Sequence, residues 1–366
     1  MHIAIDARII SSGTGRYIER LLTHLEKLDS PHKFSVLVRK KDKEYWKPTT
    51  KKFKIIIADF ENYSLDEQLR FNTFLKKLNP DLVHFCMPQQ PLLYKGLSVT
   101  SILDLNLLRI DSNDMNRVEL KIKKYIFAGL LKKVARRSKH IITISNYSKK
   151  DILHFVHINA NKITVAYPAA EQFSEHPVIV EQYKKCDYIM YVGRAESYKN
   201  NRTLIEAHQK LLIQYPDLRL VIVGSKDKLR LSDIKWVQDK DYINVDFVGF
   251  MPDAQLAWLY QNCRAYVFPS LMEGFGLPPL EAMQYGAPVA SSNTTCLPEV
   301  LGDAALYFDP TDTDDMVDKI SRILDDEELR NELRKKGQRQ VKKYSWDRMA
   351  KQTLEVYNEA LKDAKN

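Results

Sequence analysis

The sequence predicts an α/β protein of two Rossmann-like domains facing each other across a cleft. Three observations carry this. Short apolar runs alternate with stretches of helical period along the chain. Twice, such a run leads through a glycine-containing turn into a helix, at 2–28 and at 188–212. The chain has 366 residues, 44% of them apolar, which is enough for two cores of ordinary size. The expected domains are 1–170 and 171–345, with a terminal helix over 346–366.

In the first domain, residues 2–7 are an apolar strand ending at Asp6-Ala-Arg8. The turn Ser11-Ser-Gly13-Thr14-Gly15-Arg16 follows, and Ile18 to Leu28 has helical period. This turn lacks the third glycine of a dinucleotide fingerprint, so it is equally readable as a tight turn feeding a helix. Residues 34–39 and 53–57 are buried strands separated by a basic loop. A helix over 65–78 leads to strands at 81–85 and 98–104. Asp104 at the last strand's end either faces the cleft or caps a helix. Residues 118–139 interleave basic and apolar residues at helical spacing. Such a helix packs by its apolar face, and its charges are either solvated or in contact with an anionic membrane. The strand 140–144 and a helix from Lys149, with Ser145 and Ser148 as caps, follow. A strand from Ile163 ends the domain, and a linker is expected over 169–185.

The second domain opens with the strand 188–192 and Gly193-Arg194-Ala-Glu-Ser-Tyr-Lys199-Asn200, then a helix over 202–212. Glycine, arginine and lysine between a strand end and a helix start suit a pyrophosphate. A strand at 218–223 is followed by a polar loop and the strand-like Val245-Asp-Phe-Val-Gly249-Phe250. Strand 265–268 then enters Phe268-Pro-Ser-Leu-Met-Glu273-Gly-Phe275-Gly276-Leu277-Pro-Pro-Leu-Glu281. The two prolines start a helix near Pro278 and place Glu281 in its first turn. The N–H groups around Gly276 and Leu277 form an anion site. Two carboxylates beside an anion site are unfavourable unless they accept from hydroxyls, so a phosphorylated sugar fits; the alternative is a capping acid and an incidental loop acid. Asp312-Thr313-Asp314 precedes a helical pattern and reads as a cap, and no metal is expected.

Charge and cysteine narrow the class. The net charge of +9 divides into +14 over residues 1–170 and −5 over 171–366. The basic half calls for an anionic partner, but no nucleic-acid module accompanies it, so no nucleic acid is expected. Four dispersed cysteines, no apolar run of spanning length and an N-terminus that begins as a strand point to a cytoplasmic protein.

The stretch Glu273-Gly-Phe-Gly-Leu-Pro-Pro-Leu-Glu281, with its continuation through Gly286-Ala-Pro-Val and Leu297-Pro-Glu299, resembles the signature of the retaining glycosyltransferases of family 4. The resemblance spans essentially the whole chain and implies the GT-B fold, with the terminal helix returning to the first domain. It implies transfer of a hexose from a nucleoside diphosphate sugar to an acceptor hydroxyl with retention, without a metal or a cofactor. GDP-mannose is the favoured donor. A glycan or lipid-linked acceptor in bacterial surface polysaccharide assembly is expected, at the inner face of the membrane with peripheral contact. The implied catalytic residues are Glu273 on the donor sugar, Arg194 and Lys199 on the leaving diphosphate, and Asp104. Donor contacts fall on Gly13, Thr14, Gly15, Gly193, Phe250 at the base, Phe275, Gly276, Leu277, and Glu281 at the ribose. One departure stands out: Leu103 occupies the position where relatives carry His. It motivates a rival reading as a non-catalytic binding protein; a nucleotide-sugar epimerase on the same fold is a second rival.

Overall fold

The computed structural model describes residues 1–109, 116–171, 173 and 176–364. It divides into two compact units. Unit 1 comprises Met1–Arg109, Val118–Pro168 and the C-terminal stretch from Ser345, and unit 2 includes Ala169–Tyr344.

Unit 1 holds β1 (His2–Asp6), α1 (Gly15–Lys27), β2 (Lys33–Val38), β3 (Phe53–Ile57), α2 (Asn72–Leu78), β4 (Leu82–Phe85) and β5 (Ser98–Ser101). Next come α3 (Asn106–Arg109), α4 (Arg117–Arg137), β6 (His140–Thr143), α5 (Asn146–Phe155) and β7 (Ile163–Val165). The strands form one parallel sheet in the order β3-β2-β1-β4-β5-β6-β7. A parallel sheet covered on both faces favours strands apolar on both faces, which is why most of these read as apolar runs. The exception β5, Ser98-Val-Thr-Ser101, is buried with the hydroxyls of Thr100 and Ser101 hydrogen-bonded. Strand order reverses between β1 and β4, and this switch point is where open α/β sheets take ligands.

Unit 2 holds β8 (Tyr188–Val192), α6 (Asn201–Leu211), β9 (Arg219–Val223), α7 (Lys228–Asp239), β10 (Val245–Gly249), α8 (Asp253–Asn262) and β11 (Ala265–Phe268). They are followed by α9 (Leu277–Gln284), β12 (Val289–Ser292), α10 (Leu297–Leu301), β13 (Ala305–Phe308), α11 (Thr313–Asp325) and α12 (Glu327–Val341). Its parallel order is β10-β9-β8-β11-β12-β13, with the switch point between β8 and β11. Asp312 accepts from the N–H groups of Asp314 and Asp315 at 2.9 and 3.1 Å, the cap at the start of α11.

The last helix, α13 (Trp346–Asp363), belongs to unit 1. The Tyr357 hydroxyl meets His84 Nδ1 at 2.6 Å, while His84 Nε2 meets Ser101 Oγ at 2.8 Å. Ser101 in turn meets the Tyr17 hydroxyl at 3.0 Å. This buried chain ties α13 to β4, β5 and α1. Burial depresses the His84 imidazole to about 3, so it is neutral here.

Four expectations need correction. The polar loop before β10 contains α7, capped by Asp227 through the N–H groups of Leu229 and Arg230. Its buried positions are Arg230, Asp233 and Val237, so helical period is carried by charged residues that a hydropathy pattern assigns to solvent. The helix over 65–78 is a π turn at Glu67–Phe71 running into α2. The helix expected from Lys149 starts at Asn146, because Ser145 alone is its cap, accepting from Ser148 N at 3.0 Å. Glu281 lies in the second turn of α9, because Gly276 at φ +97° lets the helix begin at Leu277. Linker residues 172 and 174–175 lie outside the described residues.

On α4, Leu120, Phe127, Leu131, Val134 and Ala135 are buried, consistent with a packing face. Val118, Ile122, Tyr125 and Ile126 form a second apolar stripe that is exposed. Among the described residues, no helix is long and apolar enough to cross a membrane.

Candidate functional site

The unit 2 switch point gathers most of the predicted site residues. The chain leaves β8 through Gly193, makes a 3-10 turn at Ser197–Lys199, and enters α6 through Asn200 in the left-handed region at φ 61°. The Asn200 side-chain amide donates to Pro269 O at 3.1 Å and Pro310 O at 2.8 Å. Leu271 N donates to Tyr198 O at 2.8 Å. The loop after β8 is thereby pinned to the loops after β11 and β13.

Across this junction Lys199 Nζ donates to Glu273 Oε1 at 2.7 Å, with side-chain exposures of 16% and 11%. The Glu273 backbone is held separately. Its N–H reaches Thr295 Oγ1 at 3.3 Å, and its carbonyl accepts from Cys296 Sγ at 3.3 Å. Burial alone would depress the Lys199 ammonium, but the Glu273 carboxylate, with Tyr191 and Tyr198, reverses this and holds it above its ordinary range. The site therefore contains a permanently protonated amine and an acceptor carboxylate, both with little access to water, where electrostatic forces are strong.

The other predicted residues of unit 2 differ in exposure. Arg194 is 61% exposed and pairs with Glu196 at 2.8 Å. Phe250, just past β10, is 84% exposed. Phe275 is buried edge-on against Tyr344, with ring centroids 5.4 Å apart. A Cβ at Gly276 would lie 2.8 Å from Leu297 Cδ2, which adds a steric demand to its positive φ. Pro278 and Pro279 supply no N–H, so the start of α9 offers those of Leu277 and Leu280. Glu281 is buried inside the helix.

Gly13, Thr14, Gly15 and Asp104 lie in unit 1. Gly15 opens α1 where a Cβ would be 1.7 Å from Ile10 O, a close backbone approach that only glycine permits. Thr14, Leu103 and Asp104 line a cavity of about 210 Å³ at the switch point of that sheet, together with Met87 and Gln89 from the loop after β4. Asp104 also accepts from Asn106 N at 3.1 Å, so it lines the cavity and caps α3.

Two groups escaped sequence reasoning. Asn200 is one; an asparagine between a turn and a helix start was the available signal, since this residue type tolerates the left-handed region it occupies. The other is Arg230 on α7, fully buried, whose Nη2 donates to Gly193 O at 2.8 Å. Its Nε and Nη1 have no hydrogen-bond partner, and burial lowers its pKa. It sets a positive charge against the Gly193 turn. A larger cavity of about 410 Å³ lies beside the same loop, between α6 and α7, but neither Lys199 nor Glu273 lines it.

Comparison with known proteins gives this arrangement a context. The family described as "Glycosyl transferases group 1" matches residues 172–340, and "Glycosyltransferase Family 4" matches residues 11–171. O-antigen chain mannosyltransferase B of Escherichia coli is 33% identical over 232 residues, covering 60% of this chain and 60% of the relative. The match thus spans less than two thirds of that relative's length, and about 30% of the serotype-specific mannosyltransferase WbdA of the same organism. Among solved structures, a sucrose-phosphate synthase from Thermosynechococcus elongatus superposes with TM-score 0.76 at 19% identity, over 98% of both chains. Alr3699/HepE of Anabaena, solved with UDP-glucose, does so with TM-score 0.74 at 14% identity, over 98% of this chain and 100% of that one. These likenesses show the GT-B fold of two Rossmann-like units.

Proposed function

The chain belongs to the group 1 glycosyltransferases of family 4, and from that premise we propose that it transfers a hexose from a nucleoside diphosphate sugar to a glycan or lipid-linked acceptor. Mannose from GDP-mannose is the favoured donor group, in keeping with the Escherichia coli mannosyltransferase it is similar to. The assembly of bacterial surface polysaccharide is the setting. Transfer proceeds with retention and without a metal.

The observation that carries this reading is the Lys199–Glu273 pair bridging the unit 2 switch point at 2.7 Å. Lys199, with Arg194, meets the charge that develops on the departing diphosphate, an electrostatic task for fixed cations in a site of low water access. Glu273 accepts from donor-sugar hydroxyls, Glu281 takes the ribose, and Phe250 offers an exposed ring to the base. The N–H groups of Phe275 to Leu277 hold sugar or phosphate oxygens. Gly193 lets the pyrophosphate approach the backbone. Unit 1 carries the acceptor. Its helix α4 turns Phe127 into the unit 1 cavity while its outer stripe of Val118, Ile122, Tyr125 and Ile126 runs beside Lys121 and Lys123. That combination suits an anionic membrane surface, reached peripherally from the cytoplasm, where a lipid-linked acceptor resides.

The test is a calorimetric titration with a panel of nucleotide sugars and free diphosphates, no metal added. Selective binding of one donor, lost in Lys199→Ala, supports the reading; NMR of the product anomer then reports retention. Absence of binding across the panel favours the non-catalytic alternative that Leu103 motivates.

A further inference from the structure

We propose that Tyr63 is the acceptor platform of this chain, its ring stacking on a single pyranose ring at the mouth of the unit 1 cavity. This rests on the reading that unit 1 takes a glycan acceptor, and it names the residue and the sugar unit involved.

The backbone at Tyr63 is the first observation. Its φ is +63°, a left-handed conformation that an aromatic residue adopts only under constraint. The constraint is visible. Tyr63 N donates to Glu67 Oε2 at 3.0 Å, and Glu67 Oε1 accepts from Arg8 Nη2 at 2.8 Å. Arg8 is itself gripped by Asp6 through two bonds of 2.8 Å, with its guanidinium 3.9 Å from the Phe71 ring centroid. All three charged groups are buried. Ser64 Oγ closes the loop, donating to Glu61 O at 2.6 Å and accepting from Glu67 N at 3.0 Å. A buried charged cluster thus holds one tyrosine in an unfavourable conformation.

The second observation is where the ring goes. Tyr63 is 73% exposed, although its hydroxyl accepts a hydrogen bond from the Gln89 side-chain amide. Tyrosines placed for packing in this unit, Tyr17 and Tyr357, are buried. Here the hydroxyl is anchored while the ring stays open to solvent, the arrangement of a binding surface.

The third is the cavity that Tyr63 helps line. It sits at the carboxyl ends of β1, β4 and β5, on the switch point of the sheet. Met87, Leu103, Leu107 and Phe127 give it apolar walls; Thr14, Gln89 and Asp104 give it polar groups. No lysine or arginine lines it among the described residues, so a neutral ligand fits better than a phosphate. At about 210 Å³ it is smaller than the roughly 300–1,000 Å³ of sites for drug-sized ligands. One pyranose ring meets each condition, having an apolar C–H face and a rim of hydroxyls. Leu103 then has a role: it presents hydrocarbon to the sugar face.

The experiment uses the full chain and ligand-observed NMR with methyl α-mannoside, methyl α-glucoside and methyl α-galactoside, without donor. Binding of one pyranoside by the wild type is expected, weakened about tenfold in Tyr63→Gly and by less than about threefold in Tyr63→Phe. Tyr63→Gly relieves the positive φ, so its melting temperature stays level or rises. Equal binding by Tyr63→Gly, no pyranoside binding by the wild type, or a drop in melting temperature with binding intact each overturns the proposal. In transfer assays the acceptor KM rises in Tyr63→Gly more than kcat falls; a change in kcat alone also overturns it. Titration of the wild type with free nucleoside diphosphates reports separately on the transferase reading, because those ligands carry no pyranose ring and need not meet Tyr63.

Discussion

The two switch points share a topology and differ in chemistry. In unit 2 the junction of β8 and β11 is spanned by an ion pair, Lys199–Glu273, with Arg194 and Glu281 on the adjoining segments. In unit 1 the junction of β1 and β4 opens into a cavity with apolar walls and, among the described residues, a single carboxylate, Asp104. Charge is present there as well, but it lies in the cluster of Asp6, Arg8 and Glu67, fully satisfied and shut from solvent. The sheet decides where a ligand binds, and the loop residues decide which ligand. A junction with fixed cations suits a diphosphate; one with apolar walls and an acceptor carboxylate suits a polyol.

The strongest way to break this contrast is to remove the charges of unit 2. Lys199→Ala and Glu273→Ala are each expected to lower transfer about 10²- to 10³-fold, with far-UV circular dichroism unchanged. Normal turnover by both would remove the site from unit 2. Each single variant strands its partner, so a double-mutant cycle on stability is also expected to show coupling.

Arg230→Met tests whether the buried guanidinium under Gly193 adds to the field of that site. Donor Kd is expected to rise about tenfold, equivalent to ~1.4 kcal/mol, measured by calorimetry. Two of its nitrogens lack a hydrogen bond, and Nη1 meets Asp233 Oδ2 only at 4.0 Å, so melting temperature is expected to hold or rise. An unchanged Kd would confine the donor field to Arg194 and Lys199.

Acid separates the units by another route. Burial depresses His84 in unit 1 to about 3 and His208 in unit 2 to about 4, against an ordinary 6.5. Each is neutral when folded, so on acidification the unfolded chain binds the proton first. The contribution of each group is complete above pH 6.5 and is lost as pH falls toward 3 for His84 and 4 for His208. The slope is about 1.4 kcal/mol per pH unit for each group. Melting curves from pH 7 to 4 should show it, and His208→Gln should flatten its share.

The smallest effect is expected at Phe250→Ala. Its exposed ring contributes little to the fold, so stability should stay within about 0.5 kcal/mol. Donor Kd should rise about threefold if the ring meets the base. An unchanged Kd would place the base elsewhere.

The strands of unit 1 were legible because short β-branched and apolar runs between helical stretches admit few other readings. Lys199 and Glu273 were legible from residue type and setting, between a strand end and a helix start. What the sequence concealed were polar groups on the inside. Arg230 and Asp233 carry the buried period of α7, and Glu67 and Arg8 are buried beside Phe71. A hydropathy pattern sends all four to solvent, since a charge is buried only when partners satisfy it and the pattern does not show which partners the fold brings together.

The sequence by itself therefore determined the two parallel α/β units and most of the residues gathered at the unit 2 switch point. Local propensity, apolar runs and glycine spacing suffice for that. Only the tertiary structure decided that Lys199 is paired with Glu273, that Asp104 both caps a helix and lines a cavity, and that Tyr63 stands strained at that cavity's mouth. The Lys199–Glu273 pair joins residues far apart in the chain, and the cavity gathers the ends of β1, β4 and β5; such contacts leave no local periodicity to read.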